Sequence, residues 1–126
     1  MFNNLEVFRM ASGLASHASA RQGIVAQNIA NADTPGYHAR DTVAFRDLYE
    51  SRGTDTMRAT RGGHIGIGEG AGNTRLVDIA AESSINGNTV SLEGEMVRSA
   101  EIRHQHDLAT SIYKSSLNIV RTSLGR

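Results

Sequence analysis

Ala30-Asn31-Ala32-Asp33-Thr34-Pro35-Gly36-Tyr37 is the point where the chain has to stop being a helix. Proline lacks the backbone donor that the next helical turn would need, and its ring disfavours a helical conformation at Thr34. Pro35-Gly36 also fits the two central positions of a type II turn. Proline presets the first φ, and glycine takes the positive φ that the second requires. Reading outward from here, a helix that ends at about Asn31 gives way to a chain redirected out of the helical axis.

On the N-terminal side, Asn3 to Asn31 carries helix-start signals. Asn3 is placed to cap, Glu6 sits three residues on, and Phe2 and Val7 occupy the two positions of a hydrophobic staple. Apolar residues then recur at spacings of three and four: Val7, Ala11, Leu14, Ala18, Val25 and Ala32, with Phe8, Ala15 and Ile29 alongside. This is a coiled-coil-like seam, interrupted by Arg21 and Asn28 and therefore weak in isolation.

On the C-terminal side, His38 to Glu50 mixes short apolar runs with charges and leaves strand and short helix both open. Ser51 to Asn88 holds most of the glycines, among them Gly62, Gly63, Gly66, Gly68, Gly70 and Gly72, and reads as loop with Leu76 to Ile79 as a candidate short strand. A second long helix is expected from Ser91, as cap, to Leu124, with Glu93 and Glu95 in the first turn where the helix dipole favours anions. Its seam reads Leu92, Met96, Ala100, Ala109, Tyr113, Leu117, Val120 and Leu124, with Ile102, Ile112 and Ile119 off to one side and a polar interruption from Arg103 to Asp107. At about 1.5 Å per residue each helix spans roughly 40 to 50 Å, more than a compact domain of this size needs. The expected architecture is mainly α and a single domain over 1–126. An N-terminal helix (3–31) and a C-terminal helix (91–124) pair as a coiled-coil-like layer, joined by a turn and a Gly-rich, partly extended middle segment (32–90).

The composition limits what such a layer can be. Three Phe, three Tyr and no Trp in 126 residues leave a thin core, so part of the stability is expected to come from association with other chains. Thirteen basic residues balance thirteen acidic ones, which removes the field that draws proteins to phosphate backbones and argues against a nucleic-acid partner. No apolar run approaches the ~20 residues that span a bilayer, so direct membrane insertion is not expected. Met1 to Met10 has neither the basic nor the apolar region of a cleavable secretory signal. With no cysteine, disulfides, thiol catalysis and thiolate metal sites are excluded.

The remaining chemistry is sparse. Gly62-Gly63-His64-Ile65-Gly66-Ile67-Gly68-Glu69-Gly70 looks like a phosphate-cradling loop, but it lacks the preceding strand, the following helix and the Lys-Ser or Lys-Thr pair, and so reads as a glycine loop. His104 and His106 are two apart, which points their rings to nearly opposite sides of a helix, whereas shared metal ligands need three or four. Glu93, Glu95 and Glu101 beside Arg98 and Arg103 read as an exposed face with local ion pairs. No catalytic constellation, metal site or cofactor site is expected.

The eight residues from Ala30 to Tyr37 resemble, at every fixed position, the motif Ala-Asn-x-x-Thr-Pro-Gly-Tyr of the flagellar axial proteins, which build the rod, hook and related parts. The motif residues are Ala30, Asn31, Thr34, Pro35, Gly36 and Tyr37. A second stretch, Asn86-Gly87-Asn88-Thr89-Val90-Ser91-Leu92-Glu93-Gly94-Glu95-Met96, is similar to the start of the C-terminal helix in the small rod proteins, and the short middle resembles the proximal-rod members. The resemblance implies a structural, non-enzymatic subunit that leaves the cytoplasm by flagellar type III export without a cleaved signal and self-assembles in the periplasmic rod. It implies as partners further copies of the chain, other rod proteins of the FlgC, FlgF and FlgG type, the adaptor FliE and the export gate. Subunit contacts are then expected on the two helices, at Val7, Ala11, Leu14, Ala18, Val25, Ile29, Met96, Ala100, Tyr113, Leu117, Val120 and Leu124. Arg21, Asn28 and the Arg103–Asp107 stretch are expected to meet neighbouring subunits or water. Two other readings remain open: a small helical adaptor of the export system, and a metal- or nucleotide-dependent enzyme built on the histidines and the glycine loop. Neither accounts for the Pro35 turn.

Overall fold

The computed structural model describes residues 2–51 and 75–125, with side chains over 5–50 and 75–125. The glycine loop from Gly62 to Gly70, with His64 and Gly72, lies outside the described residues. Two long helices carry the fold: α1, Phe2–Ala30, and, as the last element, α3, Leu92–Ser123. They pack against each other. The pairing is antiparallel, because Phe8 meets Tyr113 edge-to-face at 5.2 Å, Gln22 reaches Ser99, and Asn28 reaches Glu95. No helix among the described residues is long and apolar enough to cross a membrane.

The helix ends follow the expected signals in part. Ser91 is the N-cap of α3, its hydroxyl accepting from the Gly94 N–H, with Glu93 and Glu95 in the first turn. At the other terminus the helix already includes Phe2, so Asn3 lies inside the first turn and is not the cap. Beyond Ala30 the chain takes the turn that Pro35-Gly36 demands. The Tyr37 N–H donates to the Thr34 carbonyl at 3.3 Å, and Gly36 has φ +71°.

The His38–Glu50 stretch, undecided on sequence, holds one element of each kind. These are β1, Arg40–Thr42, and α2, Phe45–Ser51. β1 pairs antiparallel with β2, Leu76–Asp78, in the register Arg40 with Asp78 and Thr42 with Leu76. This strand falls within the segment expected from Leu76 to Ile79. α2 lies on α1, its Phe45 ring so close to Gly13 that a Cβ there would stand 3.3 Å from it. Glycine at 13 lets this aromatic ring approach the helix.

The apolar core is as thin as the composition implied. Ala11, Ala18 and Val25 are buried on α1 at seven-residue intervals, and Ile102 and Ala109 face them from α3 at the same interval. Ala18, Val25 and Ile102 form the buried cluster. Seven-residue spacing is the signature of a coiled-coil seam. The helical layer is therefore as expected, and the seam of α3 is so in part: Ala109 is buried and Leu117 and Val120 are half-buried as expected, but the first turns and the last differ. Glu95, Ile102 and Ala109 point inward, while Leu92, Met96 and Leu124 stay 53%, 70% and 69% exposed.

Candidate functional site

The end of the hairpin where α1 stops is built from polar groups. Asn88 is almost fully buried. Its Nδ2 lies within hydrogen-bond distance of three carbonyls of the turn that follows α1, those of Asn31 at 2.9 Å, Ala32 at 2.7 Å and Thr34 at 2.9 Å. The Asn31 and Thr34 carbonyls also accept from the N–H groups of Thr34 and Tyr37, so the two side-chain hydrogens pin a turn already closed by the backbone. The Asn88 Oδ1 accepts from the Val90 N–H at 2.7 Å. Around it, the Gly36 N–H donates to the Asn86 carbonyl, the Thr89 N–H donates to the Tyr37 carbonyl, and the Ala39 N–H donates to the Thr89 hydroxyl. Gly87 takes φ +80°, and a Cβ on it would stand 3.4 Å from Gly36. The two motif stretches thus form one clasp, each supplying what the other lacks.

One helical turn back, Asn28 is fully buried. Its amide treats Arg40 as a neighbouring strand would. Nδ2 donates to the Arg40 carbonyl at 2.7 Å and Oδ1 accepts from the Arg40 N–H at 3.1 Å. The Tyr37 hydroxyl also donates to Oδ1. Nδ2 reaches the Oε2 of Glu95 at 3.2 Å, and Glu95, itself fully buried, pairs through Oε1 with Arg98. Arg98 lies 3.8 Å from Asp41. Arg21 grips that carboxylate with both fork nitrogens at 2.8 Å. Burial pushes the Asp41 carboxyl up. The hydrogen bonds from Arg21 and from the Thr42 N–H, with the charges of Arg21 and Arg98, outweigh this and hold it below its ordinary range. The Arg21 guanidinium is correspondingly raised, chiefly by its hydrogen bond to Asp41.

Two expectations are corrected here. Arg21 and Asn28 do not wait for a neighbour or for water, because both are satisfied inside the chain by β1 and α3. Nor does Glu95 belong to an exposed charged face, since its position one turn from the cap turns it toward Asn28. Glu93, Glu101 and Arg103 are exposed as expected, as are His104, His106 and Asp107. Among the described residues no three His, Asp or Glu side chains gather as a metal site. His17, which the sequence did not single out, is buried, with Nε2 2.9 Å from the Val43 carbonyl and 3.2 Å from the Thr42 hydroxyl. It ties the β1–α2 connection to α1.

The residues named as subunit contacts divide into groups. Ala11, Ala18 and Val25 are used within the chain's own helix pair. Leu14, Leu117 and Val120 are half-buried, and Ala100 is exposed. Val7, Ile29, Met96, Tyr113 and Leu124 remain exposed large side chains, in company with Leu5, Met10, Leu108, Ile112 and Ile119. Of the motif, Ala30 closes α1. Asn31 donates from Nδ2 to the Gln27 carbonyl and accepts from the Thr34 hydroxyl. Pro35 and Gly36 form the turn, and Tyr37 bonds to Asn28.

Comparison with known proteins agrees with this geometry. The family described as "Flagella basal body rod protein" matches residues 8–38, which span most of α1 and the turn. The flagellar basal body rod protein FlgB of Agrobacterium fabrum is 35% identical over 116 residues, covering 88% of this chain and 87% of the relative. FlgB of Cereibacter sphaeroides is 35% identical over 105 residues, covering 76% and 82%. FlgB of Escherichia coli is 32% identical over 117 residues, covering 81% and 83%. The short length and minimal middle favour the FlgB type of proximal-rod protein over the FlgC type, in line with these relatives. With the turn motif, the helix pair and relatives that align along most of its length, the chain belongs to the FlgB family of flagellar basal body rod proteins, a structural and not an enzymatic family.

Proposed function

We propose that the chain is a subunit of the proximal rod. It assembles with further copies of itself and with rod proteins of the FlgC, FlgF and FlgG type, beside the adaptor FliE and the export gate. It is reached by type III export without a cleaved signal, and it works in the periplasm as one domain. The observation that carries this reading is the imbalance of the helix pair. Its polar groups are largely satisfied internally, while large apolar side chains such as Met10, Ile29, Met96, Ile119 and Leu124 lie uncovered. Uncovered apolar side chains on this scale mark interaction surfaces. Two different contact faces on one subunit lead to head-to-tail growth and an open helical filament when the rotation does not close. The exposed members of the contact set, Val7, Ile29, Met96, Ala100, Tyr113 and Leu124, are the side chains available to neighbours.

The test is to replace Met96 and Leu124 together by Glu in a flagellated cell that depends on this chain, and to measure export and rod formation separately. Export should continue and rods should be missing or short. Rods of normal number and length would refute the assignment of these faces. A soluble adaptor would instead form a small closed oligomer, visible by sedimentation, and the same variant would leave rods intact.

A further inference from the structure

The first turns of α3 offer two faces to α1. One carries Leu92, Met96 and Ala100, spaced by four, and the other begins with a carboxylate and continues through Ile102 and Ala109. Over these first turns hydrophobic burial favours the first, since it removes leucine and methionine from water and leaves Glu95 in it. Beyond Ala100, however, that face runs into Arg103 and Asp107, while the second continues through Ile102, Ala109, Leu117 and Val120. The structure takes the second. Glu95 is 0% exposed and Met96, the next residue and about 100° further round the helix, is 70% exposed.

What offsets the burial of the carboxylate is a set of partners from three elements. Asn28 on α1 donates to Oε2 at 3.2 Å. Arg98 on α3 pairs with Oε1. Arg98 is in turn 3.8 Å from Asp41 in β1, and Asp41 is held by Arg21. Turning α3 so that Met96 faced α1 would withdraw Glu95 from Asn28 and draw Arg98 away from Asp41. The clasp at Asn88 fixes where the C-terminal segment starts along the axis.

We propose that the Asn28–Glu95 contact is a rotational key, selecting the face that α3 turns toward α1 and thereby keeping Leu92 and Met96 outward. A buried polar pair in an apolar seam is a known way to specify one arrangement among several, at some cost in stability. The key acts on the first turns, where the alanines of the seam leave the choice open. Ala11, Ala18 and Ala109 fit against almost any neighbour and discriminate little between one rotation and another. The key is a property of the single chain and its test requires no rod, so its failure and a failure of the assembly reading are separate results.

The chain has no cysteine, so one introduced thiol reports one position. The full chain is prepared with Met96→Cys or Ile102→Cys, and the rate of alkylation by a maleimide is measured for each. The position-96 thiol should react fast and the position-102 thiol slowly. In the Asn28→Leu background, which keeps the Glu95 carboxylate and removes its donor on α1, the order should invert. Glu95→Gln alone keeps an acceptor for Asn28 and should retain the original order. An unchanged order in the Asn28→Leu variant overturns the proposal. So do equally open thiols in either background, because the contact would then hold the helices together without choosing their rotation. Glu95→Gln behaving like Asn28→Leu is a third result against it.

Discussion

The two ends of the helix hairpin are built on opposite principles. At the turn end, Asn28, Asn88, Thr89 and Glu95 are buried polar residues whose groups find partners from β1, the turn and the far helix. Toward the open end, Val7, Met10, Ile112, Ile119 and Leu124 are apolar and exposed, and the Phe8–Tyr113 ring contact is the aromatic tie between the helices. The turn end therefore gets its definition from directional bonds within one chain. The open end, like the outward side of the turn end at Ile29, Leu92 and Met96, carries surface whose burial, on the reading proposed above, needs neighbours. Chain stability should respond strongly to changes at the first and weakly at the second.

The sharpest way to break that contrast is Asn88→Ala. It removes the donor from the Ala32 carbonyl and the acceptor from the Val90 N–H, while the Asn31 and Thr34 carbonyls keep backbone donors, and unsatisfied buried groups cost roughly 1 to 3 kcal/mol each. A loss of about 3 kcal/mol in urea unfolding is expected once partial hydration is allowed for. A loss below ~1 kcal/mol would mean that water replaces the clasp.

Next is Gly36→Val, which forces a β-branched residue to φ +71°. No atom stands within 4 Å of a Cβ there, so the cost is conformational, about 2 kcal/mol. Gly36→Asn should be milder, because asparagine tolerates the left-handed region. Equal thermal shifts for the two variants would refute the backbone account.

A smaller effect belongs to the charges beside Asn28. The Asp41 carboxyl is lowered in the folded chain, so its contribution is present at pH values above the ordinary carboxylate range and is lost as pH falls through its folded value. Asp41→Asn should cost about 1.5 kcal/mol at neutral pH, and the gap from the parent chain should close on acidification, read as parallel urea titrations at several pH values. A gap that widened in acid would reverse the assigned sign.

Smallest of all should be Ile119→Ser toward the open end of α3, under about 0.5 kcal/mol in the isolated chain, as for exposed substitutions generally. If it destabilised the monomer by more than the Asp41 change, the contrast between the two regions would collapse.

Much of this layout was legible residue by residue. Pro35 marked the end of α1, Gly36 the positive φ, and Ser91 the cap of α3, because each acts through local backbone geometry. The α1 seam through Ala11, Ala18 and Val25 was legible from spacing. The α3 seam was legible at Ala109, Leu117 and Val120 but not in its first turns. Leu92 and Met96 outweigh Glu95 on any hydropathy scale, and there the placement of Asn28 and Arg98 beside that carboxylate goes with the opposite choice. Asn28 itself looked like a flaw in the seam, since its partner Arg40 lies twelve residues on and across a turn. Asn88 stood inside the second motif stretch, but which carbonyls it serves depends on a contact across more than fifty residues.

That separation makes the clasp sensitive to the order in which the chain emerges. The turn after α1 closes locally through the Thr34 and Tyr37 N–H groups, but its side-chain donor lies 54 to 57 residues downstream. A polypeptide that appears from its N-terminus therefore presents α1 and Pro35 well before that donor can pin them. Until Asn88 arrives, the helix end is hydrated and free to fray. Once it does, closing a loop of this size costs little more entropy than closing a much shorter one, because the penalty grows only with the logarithm of length. The last part of the chain to appear, α3, follows within a few residues, so sealing the turn and delivering the second helix become a single late event.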